Sequence, residues 1–267
     1  MTHFVFSQIL VEFLFRLTFG VAAAMILTSS RLVTSGFFRV HLWVLLGVQT
    51  LAALALYSVP PTASAGHGVS SGQFWLAVAA ATCSYVGAVI WMYEWPAAGK
   101  IAIGLVAGCA LMGCWLPAIL GTERLMAYQL ADKATGGLVL GLVTTAMLLG
   151  HWYLNTPTMK LEPLKRLIVL LVAAVAVRAL VSGSGAAAEA GRLLALAHGP
   201  TTSWYLFVTL RWLTGLISVA VLAGLTWQTL KIPNTQSATG ILYAGVIVAF
   251  IGELTSQLLS AEAVYPV

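Results

Sequence analysis

The stretch KATGGLVLGLVTTAMLLGHWYLNTP, residues 133–157, decides the fold. Between Ala134 and Asn155 it carries no acidic or basic side chain other than His151. At a rise of 1.5 Å per residue, about 20 such residues cross a hydrocarbon core roughly 30 Å thick. The run closes on Gly150-His151-Trp152-Tyr153-Leu154-Asn155-Thr156-Pro157. Aromatic rings suit the headgroup level, and proline stops a helix. The segment reads as one spanning helix, ending near Asn155.

The rest of the chain repeats the pattern. Of 267 residues, 60% are hydrophobic and 8% charged. A soluble domain has about a quarter of its residues charged, so most of this chain never meets water. Ten-residue alternation, the mark of an outer-membrane barrel, is absent. The expected fold is an all-α polytopic membrane bundle of eight transmembrane helices in one domain. The spans run approximately 4–28, 37–57, 71–94, 99–120, 133–155, 165–182, 203–230 and 239–259. The sixth is short, and a seven-helix reading would demote it. No connection exceeds about 20 residues, which leaves no room for a soluble nucleotide, iron–sulfur or zinc-hydrolase domain. Any chemistry belongs to the helices or to partner subunits.

The net charge of +5 is spread over short loops, so it points to topology and lipid contact rather than to nucleic acid. Arg31, Arg39, Lys100, Lys160, Lys165, Arg166 and Lys231 fall on one side, and Arg124, Lys133 and Arg192 on the other. The positive-inside rule puts the first set in the cytoplasm and both termini outside, in a bacterial-type inner membrane. No cleavable signal is expected, since no basic segment precedes the first apolar run. Ser58–Gly68, rich in breakers, reads as a plain turn. Ala186–His198 reads as a short interfacial helix with Glu189 and Arg192 facing water. Trp91, Tyr93, Trp95, Trp152 and Tyr153 read as an inner aromatic belt. Cys83, Cys109 and Cys114 lie in apolar runs without metal-ligand spacing, so no metal is expected.

Charges inside the spans are informative, because each costs about 2.5–3.5 kcal/mol at the centre of a helix. Glu12 and Arg16 are spaced i, i+4 on the first helix and can pair. With Arg211 and Glu253 they are expected to form one polar cluster between helices 1, 7 and 8. Its role is either an ion-pair lock on packing or a proton or quinol site. Arg178 is a fifth candidate for the buried cluster, although it is placed near an outer helix end, where its side chain can instead snorkel. His3, His67 and His198 are expected in water.

His41 and His151 each lie about four residues inside the inner face, roughly 6 Å deep. Equal depth allows two histidines to clamp one haem b, or one to hydrogen-bond a quinone. Two interfacial histidines with no ligand is the plainer reading. Ile232–Gly240 joins helices 7 and 8, with Asn234-Thr235 capping helix 8 and Gln236 as a candidate quinone donor. An ordinary capped connection is the simpler account of it.

Eight helices, no soluble domain and buried acidic, basic and histidine residues together resemble the polysulfide-reductase-like and DMSO-reductase-like membrane anchors of respiratory oxidoreductases. The resemblance covers the chain as architecture and rests on no signature string. It implies a quinone or quinol site and partner subunits carrying redox centres. The expected function is a quinone-interacting membrane subunit of an electron-transfer complex. A structural subunit without a redox role and a proton-coupled small-solute transporter are the alternatives.

Overall fold

The computed structural model describes residues 2–58, 67–120, 125–156, 158–195, 201–232, 234–260 and 265, without the side chains of residues 2–6, 67 and 68. Arg124, Pro157, His198, Pro233, the 59–66 segment and the side chains of His3 and His67 therefore lie outside the described residues. Eight helices are long and apolar enough to cross a membrane, and among the described residues there is no strand. They are α1 (Thr2–Leu27), α2 (Ser35–Tyr57), α3 (His67–Met92), α4 (Pro96–Leu120), α5 (Met126–Asn155), α6 (Glu162–Leu194), α7 (Thr202–Lys231) and α8 (Thr235–Ser260). The chain is an all-α, multi-pass membrane bundle.

Two boundaries lie furthest from the sequence reading, both for the same reason. α5 starts at Met126, not at Lys133, and so carries Asp132 and Lys133 inside it. Among the described residues α6 is the longest helix, with 33 residues, and takes in the 186–194 part of the interfacial helix expected over Ala186–His198. Glu189 does not face water. It is buried, paired with Arg192 at 2.5 Å, and accepts from the Tyr265 backbone N–H at 3.2 Å. Charged residues mark the edge of a span only when they remain unpaired, and these are paired.

The helices form two closed sets of neighbours. α1, α2, α3 and α4 surround one another, as do α5, α6, α7 and α8, and the sets meet chiefly along α1 and α5. That seam is very close. A Cβ added at Gly20 would sit 1.7 Å from the Gly137 carbonyl oxygen, and one added at Gly141 only 1.8 Å from the Gly20 carbonyl carbon. Lipid gives helices no hydrophobic reason to associate, so small residues that let backbones touch supply the contact. α1 and α5 run parallel, since Arg16 meets Asp132 and Gly20 meets Gly137 and Gly141. α5 and α8 run antiparallel, with Gly136 beside Glu253, Val143 beside Gly245 and Gly150 beside Thr239. Both senses are those of consecutive membrane crossings.

The outer surface is apolar, with Leu54, Ile101, Leu180, Leu206 and Ile247 all well exposed. The interior holds the charges. At the end where α1 finishes, Lys100 of α4 donates to the Met25, Ile26 and Thr28 carbonyls at 2.6, 2.9 and 2.5 Å. A cation there satisfies orphan carbonyls and complements the helix dipole. The aromatic belt is only partly a belt. Tyr93 and Trp95 are exposed, but Trp91 is buried and stacks on Phe38 at 4.3 Å. Tyr153 is also buried, with its hydroxyl donating to the Lys160 carbonyl.

Candidate functional site

Four helices each bring charge to one point inside the bundle. On α1 the i, i+4 spacing lets Arg16 Nη2 reach Glu12 Oε1 at 2.5 Å. The same Nη2 lies 3.1 Å from Asp132 Oδ2 of α5. Nη1 of Arg178, on α6, donates to the other Asp132 oxygen, to the Asp132 backbone carbonyl at 2.6 Å and to Thr135 Oγ1 at 3.3 Å. Arg178 Nη2 is 3.2 Å from Ser256 Oγ and 3.5 Å from Glu253 Oε2, both on α8. Glu253 Oε1 accepts from Arg16 Nη1. These pairs close a ring of alternating charge: Arg16, Asp132, Arg178, Glu253 and back to Arg16.

All four ring members are buried, and Gly136 makes room for them. A Cβ there would lie 2.8 and 2.9 Å from the Glu253 oxygens and 3.1 Å from Arg16 Nη1. Glu12 stands at the edge with 29% of its side chain exposed, and Lys133 Nζ lies 3.4 Å from it. The ring is neutral, and so is the Glu12–Lys133 pair.

This arrangement corrects the expected cluster in three respects. It joins α1, α5, α6 and α8, whereas helices 1, 7 and 8 were expected. Arg178 does not snorkel to an outer surface, because it is buried and is the ring's second arginine. Lys133 is not a loop charge, because it is buried within α5. Asp132 was missed altogether. The signal that could have found it is the adjacent pair Asp132-Lys133, whose opposite charges suit burial as well as a loop. Arg211 of α7 is buried near the ring without belonging to it. Its one hydrogen bond among the described residues is to Ser182 Oγ, at 2.5 Å.

The inner-face candidates separate. His41 is buried, with Nδ1 2.6 Å from the Phe37 carbonyl oxygen and its ring 4.2 Å from the Phe37 ring and 6.2 Å from Trp152. His151 is exposed and turns to α8, where its Nδ1 lies 3.2 Å from the Tyr243 hydroxyl. Successive helical residues point about 100° apart, so Trp152 faces His41 while His151 faces away. Equal depth therefore does not bring the two imidazoles onto one ligand. Gln236 is exposed and lies on the Tyr243 face of α8, at seven-residue spacing with Gly240 between. No neighbour would touch a Cβ at Gly240. Asn234 Oδ1 accepts from the Ser237 N–H at 3.0 Å, so α8 has its expected cap.

Cys83, Cys109 and Cys114 are free thiols. Among the described residues no three His, Cys, Asp or Glu side chains converge as a metal site. No protein-family model, curated protein or solved structure matches the chain.

Proposed function

We propose that this chain is a quinone-interacting membrane subunit of an electron-transfer complex, in the inner membrane of a bacterial-type cell. The observation that carries the reading is the exposed pair of His151 and Tyr243, 3.2 Å apart on the bundle surface. A quinone reaches its site through lipid and presents carbonyl oxygens. It needs hydrogen-bond donors open to the acyl region, held on rigid elements. An imidazole and a phenol on two packed helices meet that need. Gln236, with the open surface at Gly240 beside it, extends the same polar face toward the helix end. Electrons come from redox centres on partner subunits, since no loop of this chain has room for one.

The charged ring serves a different purpose in this reading. Its four members satisfy one another, which suits a lock on the meeting of α1, α5, α6 and α8. Tyr243 and Glu253 are ten residues apart on α8, about 15 Å along the axis. The ring is thus remote from the quinone face, and Glu12 at its edge is the group that offers a proton path outward. A solute path has less support, because the cavity beside the ring has a volume of only about 20 Å³. The orientation follows from charge. With Lys133 withdrawn into α5, seven basic residues on one side oppose Arg124 and Arg192 on the other, which puts His151 on the cytoplasmic side.

The test is binding of a short-chain quinone to the purified protein in nanodiscs, followed by quenching of tryptophan fluorescence. Saturable binding that falls at least tenfold in His151→Ala and Tyr243→Phe is expected. No binding by the wild type, or equal binding by all three proteins, removes the quinone reading. Redox subunits that co-purify with the tagged chain are the expected partners.

A further inference from the structure

Arg211 is the charge that the buried network leaves over. Among the described residues of this region the cations are Arg16, Lys133, Arg178 and Arg211, and the carboxylates are Glu12, Asp132 and Glu253. The ring cancels itself, Lys133 cancels Glu12, and one positive charge remains on a side chain only 2% exposed. Arginine keeps its charge at neutral pH. Its Nη2 donates to Ser182, while Nε and Nη1 have no hydrogen-bond partner. A buried, uncompensated guanidinium is among the most costly arrangements a bilayer interior can hold.

The backbone keeps it there. Four residues after Arg211, Gly215 lies against Gly252 of α8, where a Cβ on Gly252 would be 2.2 Å from Gly215 Cα. Around this contact α7 widens into a π-helical turn over Leu213–Ser218. Such turns recur where a helix is shaped around a site. The result is a cavity of about 20 Å³ walled by Arg211, Arg178, Glu253, Ser256, Gly136 and Leu216. That volume holds one water-sized group. Glu253, which lines the same cavity, is already engaged by both ring arginines and makes no ion pair with Arg211 among the described residues.

We infer that this cavity is a binding site for a single halide ion, held by an N–H of the Arg211 guanidinium that the bond to Ser182 leaves free. A monovalent, monatomic anion matches the volume, the excess of one charge and the unpartnered donors together. A water molecule would match the first and last only. The site is independent of the quinone face and links α7 to the ring, so α7 docks fully only with the ion in place.

The experiment uses the full chain in detergent at constant ionic strength, with chloride exchanged for gluconate. Thermal unfolding is followed by tryptophan fluorescence. The melting temperature is expected to rise saturably with chloride or bromide, by roughly 5–10 °C at a hundred times the dissociation constant. Gluconate gives no rise, and Arg211→Met abolishes the response to halide. Should Arg211→Met fail to fold, wild-type crystals grown in bromide give the readout, with an anomalous peak expected within hydrogen-bonding distance of Arg211. A wild-type melting temperature indifferent to halide, an equal response in folded Arg211→Met, or bromide crystals without that peak overturns the inference and leaves water as the occupant.

Discussion

Arg178 and Asp132 are joined twice, since Arg178 Nη1 donates both to the Asp132 carboxylate and, at 2.6 Å, to the Asp132 backbone carbonyl. The second bond ties the arginine to the helix as well as to the charge. Asp132 is also held by Arg16 of α1, so a single aspartate connects three helices. Removing it leaves two buried guanidiniums with Glu253 as their shared carboxylate. Breaking a buried pair from one side costs about 3–5 kcal/mol. Asp132→Asn is therefore expected to lose roughly that much stability in a mixed-micelle unfolding titration. Replacing Asp132 and Arg178 together by leucine and methionine should cost less than Asp132→Asn alone. A loss under about 1 kcal/mol for the single change would show that the ring does not hold the bundle together.

The α1–α5 seam gives a steric prediction. Gly20→Ala puts a methyl group 1.7 Å from a backbone oxygen, and no side-chain rotation relieves that. The helices must separate, and overpacking of this kind costs about 1–3 kcal/mol or more. Gly104→Ala is the matched control, because nothing lies within 4 Å of its added Cβ. It should be neutral or stabilising by up to about 1 kcal/mol through helix propensity. Melting temperatures of the two variants in the same detergent decide the matter, and equal values would discredit the close seam.

Lys100 is expected to act on a helix other than its own. Its ammonium reaches three carbonyls at the end of α1 and lies 4.7 Å from the Phe38 ring centroid. Lys100→Met keeps the length and removes the donor. It should cost about 1–2 kcal/mol and loosen the end of α1, seen as faster amide exchange at residues 24–28. Unchanged exchange there would mean that solvent or lipid caps α1 equally well.

The spans were legible because the lipid imposes length and hydropathy on every one of them, whatever their partners. The ring was legible in part. Arg16, Arg178 and Glu253 stand out as charges within apolar runs, as do Glu12 and Arg211 beside them. Asp132 and Lys133 do not, since they sit at the end of a run, where a charge normally marks water. Arg16 and Arg178 make Asp132 an interior residue and Glu12 does the same for Lys133, and hydropathy carries no information about which helices are neighbours. Glu189 is a charge of the same kind, buried by its pairing with Arg192. For the histidines the sequence carries depth alone. Depth follows from residue count, but facing follows from helix rotation, which separates His41 from His151.

That separation yields a test in which two substitutions act in opposite ways. His41 is packed against Phe37 and Trp152 and bonded to its own helix, so His41→Ala opens a cavity. A loss of about 2–3 kcal/mol in stability is expected, with quinone affinity unchanged within twofold once the folded fraction is accounted for. His151 is exposed and bonded to the Tyr243 hydroxyl, so His151→Ala disturbs little packing. It should change stability by less than about 0.5 kcal/mol while quinone affinity falls at least tenfold, about 1.4 kcal/mol. His151→Gln retains a donor near Tyr243 and should recover part of that affinity. If His41→Ala and His151→Ala instead lose quinone binding together and in proportion to stability, neither histidine contacts the quinone, and the loss reports unfolding alone.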